Sequence, residues 1–176
     1  MKRQKGFSLI ELLIVVAIIL IIAAIAIPNL LRSKIAANES SAVGSVRTIG
    51  TAEVTYSSSW GTGYAVALGN LGGAAPCTTA SAATACLIDP LLSTGAHVKS
   101  GYLFAAAGTK ADAAGVLNGF EINASPTSYQ TNGVRAFCDD QTGVLKFNVS
   151  GTAPGLAADT CAGVANTPGT SGPVGN

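Results

Sequence analysis

Charged residues are scarce in this chain of 176 residues. They make up 11% of the sequence, against about 25% in an average soluble domain, and aromatic residues make up 6%. The sequence has a single histidine, His97, and its cysteines form no C-x-x-C pair. No glycine-rich phosphate-binding pattern follows a predicted strand. These absences argue against a histidine-based catalytic site, a dithiol redox site and a nucleotide-binding loop. We therefore predict that the chain is not an enzyme and uses no cofactor.

An excess of positive charge is also missing from most of the chain. From Ala36 onward the sequence has five basic and eight acidic residues, a net charge of −3. Proteins that bind nucleic acid through its phosphates carry clustered basic residues, so we predict no nucleic-acid partner. The same part is rich in Ala, Gly, Ser and Thr, a composition that suits close packing between subunits and also suits an Ala-rich secreted protein.

The N-terminal part of the chain contains a long apolar run. Residues 12–27 are all apolar, and Glu11 is the only charged residue from Phe7 to Leu31. Since about 20 apolar residues cross a bilayer as a helix, this segment predicts one membrane span. An ionisable side chain inside such a span is expensive, so the sequence predicts a functional role for Glu11 together with a nearby partner.

The residues in front of the apolar run form a specific pattern. The leader, residues 1–6, carries three basic residues and ends in Gly6, which is followed by Phe7. With Glu11, the unbroken apolar run and Pro28, this pattern resembles the class III signal peptide of type IV pilins and of the related pseudopilins of type II secretion systems. The resemblance covers residues 6–31.

The resemblance implies processing and assembly. A prepilin peptidase would cleave between Gly6 and Phe7 and methylate the new amine of Phe7, while Glu11 and Pro28 would serve assembly. The precursor would be anchored in the bacterial inner membrane with its N-terminus in the cytoplasm. After cleavage, pilus or secretion machinery would bundle the apolar helices as the core of a homo-oligomeric helical filament outside the cell. We therefore expect a structural subunit of a type IV pilus.

Other classes of protein also carry an N-terminal apolar run. A secretory signal peptide would have a shorter apolar core, a small-residue cleavage site and a polar mature start. A plain anchor for a non-polymerising binding domain fits the length but leaves Glu11 unexplained. A pseudopilin or a minor pilin fits the same motif. The major pseudopilin carries a Tyr-Pro segment after its helix and lacks cysteines; neither holds here, which favours a pilin.

The cysteines all follow the apolar run; they are Cys77, Cys86, Cys138 and Cys161. A class III leader implies that they lie on the oxidising side of the membrane, so we expect two disulfides. Three pairings are possible. We favour the first cysteine with the second and the third with the fourth, because each bond then closes a local loop. Structural zinc requires closer cysteine spacing or histidine partners, so we expect no zinc.

Two adjacent acidic residues, Asp139 and Asp140, offer oxygen ligands of the kind that calcium prefers. Some pseudopilins bind calcium in a loop near the C-terminus, but the spacing of that loop is not reproduced here. Aspartate is also a common turn residue. We therefore favour a turn and expect no metal.

A long helix is predicted to begin near Ser8 and to continue past the membrane. Apolar residues recur at helical spacing over 31–57, which predicts an amphipathic helix that packs on a sheet. The apolar stripe consists of Leu31, Ile35, Val43, Val46, Ile49, Val54 and Tyr56, and the other faces take Asn38, Glu39, Ser41, Arg47 and Glu53. Pro28 removes one backbone hydrogen bond and crowds the carbonyl of Ala24, so we expect a kink or local melting there.

Strand patterns become readable after Gly101. The four candidates are 102–105, 120–124, 135–138 and 144–149, and a turn over 139–143 joins the last two as a hairpin. The predicted fold class is α+β, with a long N-terminal helix packed against a small antiparallel sheet of about four strands.

The predicted domain organisation has four parts. They are the leader (1–6), the transmembrane or filament-core helix segment (7–31), the globular head with the amphipathic half of the helix (32–161), and the C-terminal tail (162–176). The tail has no charged residue and is rich in Gly, Pro, Thr and Ser. We therefore expect it to be flexible.

Overall fold

A computed structural model of the chain describes residues 7–175. The leader, and with it Gly6, lies outside the described residues. The longest element is helix α1, Leu9–Trp60. The chain divides into two compact units, of which the first ends at Lys34 and the second begins at Ile35, so α1 contributes to both.

The first half of α1 is a continuous helix through Pro28. Its leucines and alanines favour helix, and no glycine interrupts the helix before Gly44. Pro28 has no N–H to donate to the carbonyl of Ala24, so one hydrogen bond is lost. The helical turns on both sides nevertheless hold the segment together, and the local melting expected at Pro28 is not seen in the single chain.

The second half of α1 supplies one face of the core. Its buried apolar residues recur every three or four positions, as expected for one face of a helix. They are Ala42, Val46, Ile49, Ala52 and Tyr56. They belong to one hydrophobic cluster with Tyr102, Phe104, Ile122 and Phe137 of the sheet. The predicted amphipathic helix packed on a sheet is confirmed.

Four assignments to the faces of α1 were wrong. Leu31 and Val54, expected in the apolar stripe, are 43% and 58% exposed, whereas Glu39 and Glu53, expected on other faces, are buried. The physical reason is that each carboxylate has a backbone N–H partner inside the head, which offsets part of the penalty of burying a charge.

The sheet has six antiparallel strands in sequence order. They are β1 (Val98–Lys99), β2 (Tyr102–Ala111), β3 (Leu117–Pro126), β4 (Ala136–Asp140), β5 (Lys146–Asn148) and β6 (Ser171–Pro173). The α+β class and the antiparallel sheet are confirmed, with six strands rather than about four.

The two additional strands lie at the edges of the sheet. Strand β1 has two residues, too few to give a pattern in the sequence. Strand β6 contains Gly172 and Pro173, both poor strand formers, and pairs with β5. It lies within 162–176, so the tail expected to be flexible instead contributes an edge strand.

The predicted turn over 139–143 is displaced by one residue. Asp139 and Asp140 both belong to β4, and the turn begins at Asp140. The N–H of Gly143 donates to the carbonyl of Asp140 at 2.9 Å, and the N–H of Thr142 donates to its Oδ1 at 2.7 Å. Gly143 has a φ of 70°, which glycine adopts without strain.

A loop region with two short helices connects α1 to the sheet. A 3-10 helix covers Leu68–Leu71, and helix α2 covers Pro90–Ser93. Asp89 begins α2, because its Oδ1 accepts a hydrogen bond from the N–H of Leu91 at 2.8 Å. Both helices place a leucine in the core and so attach the loop region to the head.

Candidate functional site

The N-terminus of α1 carries the predicted assembly residue Glu11. Its Oε2 accepts a hydrogen bond from the backbone N–H of Ser8 at 2.9 Å. The first N–H groups of a helix have no partner within the helix, and a carboxylate is favourable beside them. In the single chain Glu11 therefore caps its own helix. Phe7, the predicted first residue of the mature chain, is 80% exposed.

The apolar half of α1 is uncovered along its whole length. Every large apolar side chain from Phe7 to Leu31 is exposed, by between 43% and 80%. The helix is long and apolar enough to cross a membrane. Such a surface is unfavourable in water and is stable when lipid or other apolar surface covers it.

Within the head, Glu39 attaches α1 to the segment before β4. Its Oε1 accepts the N–H groups of Val134 and Arg135 at 2.9 and 3.0 Å. Its Oε2 lies 2.8 Å from Nε and 2.7 Å from Nη2 of Arg135. Burial alone would raise the pKa of Glu39, but these hydrogen bonds and the guanidinium charge outweigh it and hold the pKa below its ordinary value.

The second buried carboxylate of α1, Glu53, has a different environment. Its Oε2 accepts the N–H of Ala65 at 2.8 Å, and its buried Oε1 has no hydrogen-bond partner in the described part of the chain. Burial raises the pKa of Glu53 to about 7, and the hydrogen bond from Ala65 offsets only part of this effect.

A third group of carboxylates lies at the end of β4 and on β3. Glu121 and Asp140 are opposite each other in the β3–β4 ladder. Burial raises the pKa of Glu121, and the hydrogen bond that it accepts from the N–H of Cys161, at 3.1 Å, offsets part of this increase. Asp139 faces α1 and lines an open groove of about 400 Å³. We call this the Asp139 groove; it is lined by Arg47, Gly50, Thr51, Val54, Phe120, Asp139, Asp140, Gln141 and Gly143.

The cysteines are joined as two disulfides, Cys77–Cys86 and Cys138–Cys161. The first closes a loop between the two short helices. The second links β4 to the segment before β6, beside Glu121. This is the pairing favoured from the sequence.

The described residues include no group of three or more His, Cys, Asp or Glu side chains placed to hold a metal ion. His97, the single histidine, has its Nδ1 2.7 Å from the carbonyl oxygen of Leu92. This contact joins α2 to the segment before β1, a structural role.

The burial of Glu39 and Glu53 in α1 was not predicted from the sequence. Both lie at helical spacing from the apolar stripe, since Glu39 is seven residues before Val46 and Glu53 is seven residues after it. The helical spacing therefore could have indicated that these residues are buried. Their hydrogen-bond partners could not be identified from the sequence, because tertiary folding brings Ala65 and Arg135 to these positions.

Comparison with known proteins gives a family match at the N-terminus. Residues 1–27 match the family model described as the prokaryotic N-terminal methylation motif. This range includes Gly6, Phe7 and Glu11. No solved structure matches the chain.

Several curated proteins are similar to part of the chain. The major component of the type IV wide pilus of Thermus thermophilus is 62% identical over 39 residues, which are 22% of this chain and 30% of that protein. The type IV major pilin of Myxococcus xanthus is 46% identical over 54 residues, 31% of this chain and 24% of that protein. A fimbrial protein of Pseudomonas aeruginosa is 79% identical over 29 residues, 16% of this chain and 19% of that protein. The chain thus spans less than a third of the length of these relatives.

Motif, relatives and architecture agree. The motif accounts for the leader, the Gly6–Phe7 junction and the apolar run, and the head adds an antiparallel sheet packed on the continuing helix. Over its N-terminal part the chain is therefore similar to type IV pilins, and it carries their N-terminal methylation motif.

Proposed function

We propose that this chain is a structural subunit of a type IV pilus. It is made as a precursor in the inner membrane, cleaved between Gly6 and Phe7, methylated on the amine of Phe7, and polymerised through the apolar half of α1. Its partners are the prepilin peptidase, the assembly machinery and other copies of itself. The named relatives support a pilus subunit, and the absence of the major pseudopilin's features favours a pilin over that alternative.

The observation that carries this proposal is the uncovered apolar surface of residues 7–31. Apolar surface gains about 25 cal/mol for each Å² removed from water, so a run of this length does not stay hydrated. Lipid covers it before assembly. Neighbouring copies cover it after assembly, because helices of this kind pack side by side around a common apolar core.

Glu11 sets the axial register between neighbouring helices in the filament. Its carboxylate is costly in hydrocarbon unless it meets a positive group or takes up a proton. Cleavage creates such a group at Phe7, four residues before Glu11 in the same chain. Between staggered copies, Glu11 of one chain meets the Phe7 amine of the next, which neutralises both charges and fixes the axial offset.

The test is deletion and complementation. Cells that lack the chain should lose a class of surface filament, and the intact gene should restore it. Mass spectrometry of filaments sheared from the complemented cells should find this chain as the main component. Its presence at trace level would favour a minor pilin. Filaments confined to the periplasm would favour a pseudopilin, and a processed chain found only in the membrane would favour the non-polymerising anchor.

A further inference from the structure

The cations of α1 lack carboxylate partners in the described part of the chain. Elsewhere in that part, Lys99, Lys110 and Arg135 form ion pairs, and Lys146 donates to the carbonyl of Ala162. Arg32 and Lys34 lie just past the apolar run, and both are exposed. Each copy therefore presents an unpaired basic pair on its helix, while the sequence from Ala36 onward carries a net charge of −3.

The Asp139 groove holds a carboxylate oxygen without a hydrogen-bond partner. Asp139 is only 6% exposed. Its Oδ1 accepts the N–H of Asp140 at 3.0 Å, and its Oδ2 has no hydrogen bond from any described residue. Arg47 lines the same groove, and its charge acts to lower the pKa of Asp139, but the two side chains form no ion pair. Burial raises the pKa of Asp139 to about 6, as expected for a carboxylate short of partners.

Gly50 adds no side chain to the floor of the groove. A Cβ atom at this position would lie in contact with Oδ2 of Asp139, at 3.4 Å. Glycine is a poor residue for the interior of a helix, so its presence in α1 needs a compensating reason. Access to Asp139 is such a reason. Val54 and Phe120 add apolar lining that suits the aliphatic part of a long basic side chain.

We propose that the Asp139 groove of one copy receives one side chain of the basic pair, Arg32 or Lys34, from the helix of a second copy. The cationic end of that side chain reaches Oδ2 of Asp139, and its carbon chain lies against Val54 and Phe120. Because every copy carries both the basic pair and the groove, the contact is head-to-tail and repeats along a filament. The inference rests on the proposed function, since a filament brings the helix of one copy beside the head of another.

Zero-length crosslinking of filaments tests the contact. Carbodiimide joins a lysine amine to a carboxylate only where the two groups touch, and it does not react with arginine. One co-expressed copy carries Arg32→Lys and Asp139→Asn, so it can supply lysines but not the carboxylate. The other carries Lys34→Arg, so it can supply the carboxylate but no lysine at either position. Any crosslink between these positions and Asp139 then joins two different copies.

We expect tandem mass spectrometry to find this crosslink in sheared filaments of the mixed strain. It should be lost when both copies carry Asp139→Asn and kept when both carry Asp112→Asn, a control in the exposed β2–β3 turn. We also expect Asp139→Asn alone to lower filament recovery several-fold, with the subunit still inserted and oxidised. Mixed filaments that form normally but yield no such crosslink overturn the inference and leave the pilus proposal intact. Failure of the unmodified chain to form filaments instead defeats the pilus proposal.

Discussion

Glu39 and Arg135 lie 96 positions apart in the sequence, yet Nη2 of Arg135 is 2.7 Å from Oε2 of Glu39. This ion pair connects helix α1 to the segment that enters β4, at the point where the head begins. The Glu39 side chain is 7% exposed and that of Arg135 is 43% exposed. The carboxylate is thus the buried partner, and its loss affects the head more than a surface ion pair would.

Glu39→Ala should lower the free energy of unfolding by about 3 kcal/mol, because it leaves the N–H groups of Val134 and Arg135 without their acceptor. The measurement is chemical unfolding of the full chain in detergent. Lys99→Ala serves as the matched control, since it breaks the more exposed pair with Asp89 and should change the stability by less than about 1 kcal/mol. Equal effects of the two substitutions would contradict the account. Since the folded pKa of Glu39 is depressed, its contribution is present above its ordinary pKa of 4.5 and is lost as the pH falls.

Glu53 should make the head less stable as the pH rises. Its pKa is raised from 4.5 to about 7 in the folded chain, so its contribution is full below pH 4.5 and is lost as the pH rises through 7. The loss should be on the order of 2–3 kcal/mol between pH 5 and pH 8. Asp139, whose pKa is raised to about 6, should also make the head less stable as the pH rises, but over a lower pH range.

Unfolding of Glu53→Gln across this pH range provides the check. Glutamine keeps an acceptor for the N–H of Ala65 but does not titrate, so the slope between pH 4.5 and pH 7 should flatten. Asp139→Asn should flatten the slope over a lower window, between pH 3.8 and pH 6. An unchanged slope in Glu53→Gln would mean that another group controls the response.

Removal of the disulfides should destabilise the head by unequal amounts. In the chain-entropy model the Cys138–Cys161 bond, with a separation of 23, contributes about 3.5 kcal/mol, and Cys77–Cys86, with a separation of 9, contributes about 2.5 kcal/mol. Double Cys→Ala variants of each pair, compared by chemical unfolding, measure the difference. Non-reducing peptide mapping of surface protein should find both bonds, and free thiols there would count against them.

Processing should leave Phe7 as the first residue, carrying a methylated amine. The prediction follows from the Gly6–Phe7 junction behind a basic leader and from the methylation motif over residues 1–27. Mass spectrometry of the N-terminal peptide from surface protein measures it directly. An intact Met1 terminus, or cleavage after Ala26, would exclude this form of processing.

Regular periodicity in the sequence was enough to predict the helix and the central strands. Val46 and Ile49 fall on the buried face because an amphipathic helix repeats every 3.6 residues. Phe120 and Ile122 alternate with polar neighbours as strand residues do. Short or weak elements gave no such pattern. Strand β6 depends on pairing with β5 rather than on the propensity of Gly172 or Pro173.

The polar contacts of the head were not predictable for a different reason. Glu39 and Glu53 are tolerated in the core because Arg135 and Ala65 supply partners from distant parts of the chain. In contrast, the role of the N-terminal segment could be predicted because the residues of its motif are contiguous in the sequence. Gly6, Phe7 and Glu11 have a fixed spacing that requires no knowledge of the folded head.

The most direct test of the account is the filament yield of Glu11→Ala in cells that lack the native subunit. Electron microscopy counts surface filaments, and immunoblotting measures the inserted and cleaved subunit in the same cells. Insertion and cleavage should be normal, but few or no filaments should form, because the Phe7 amine of each incoming copy finds no carboxylate. Filaments at the native level from Glu11→Ala would contradict this mechanism.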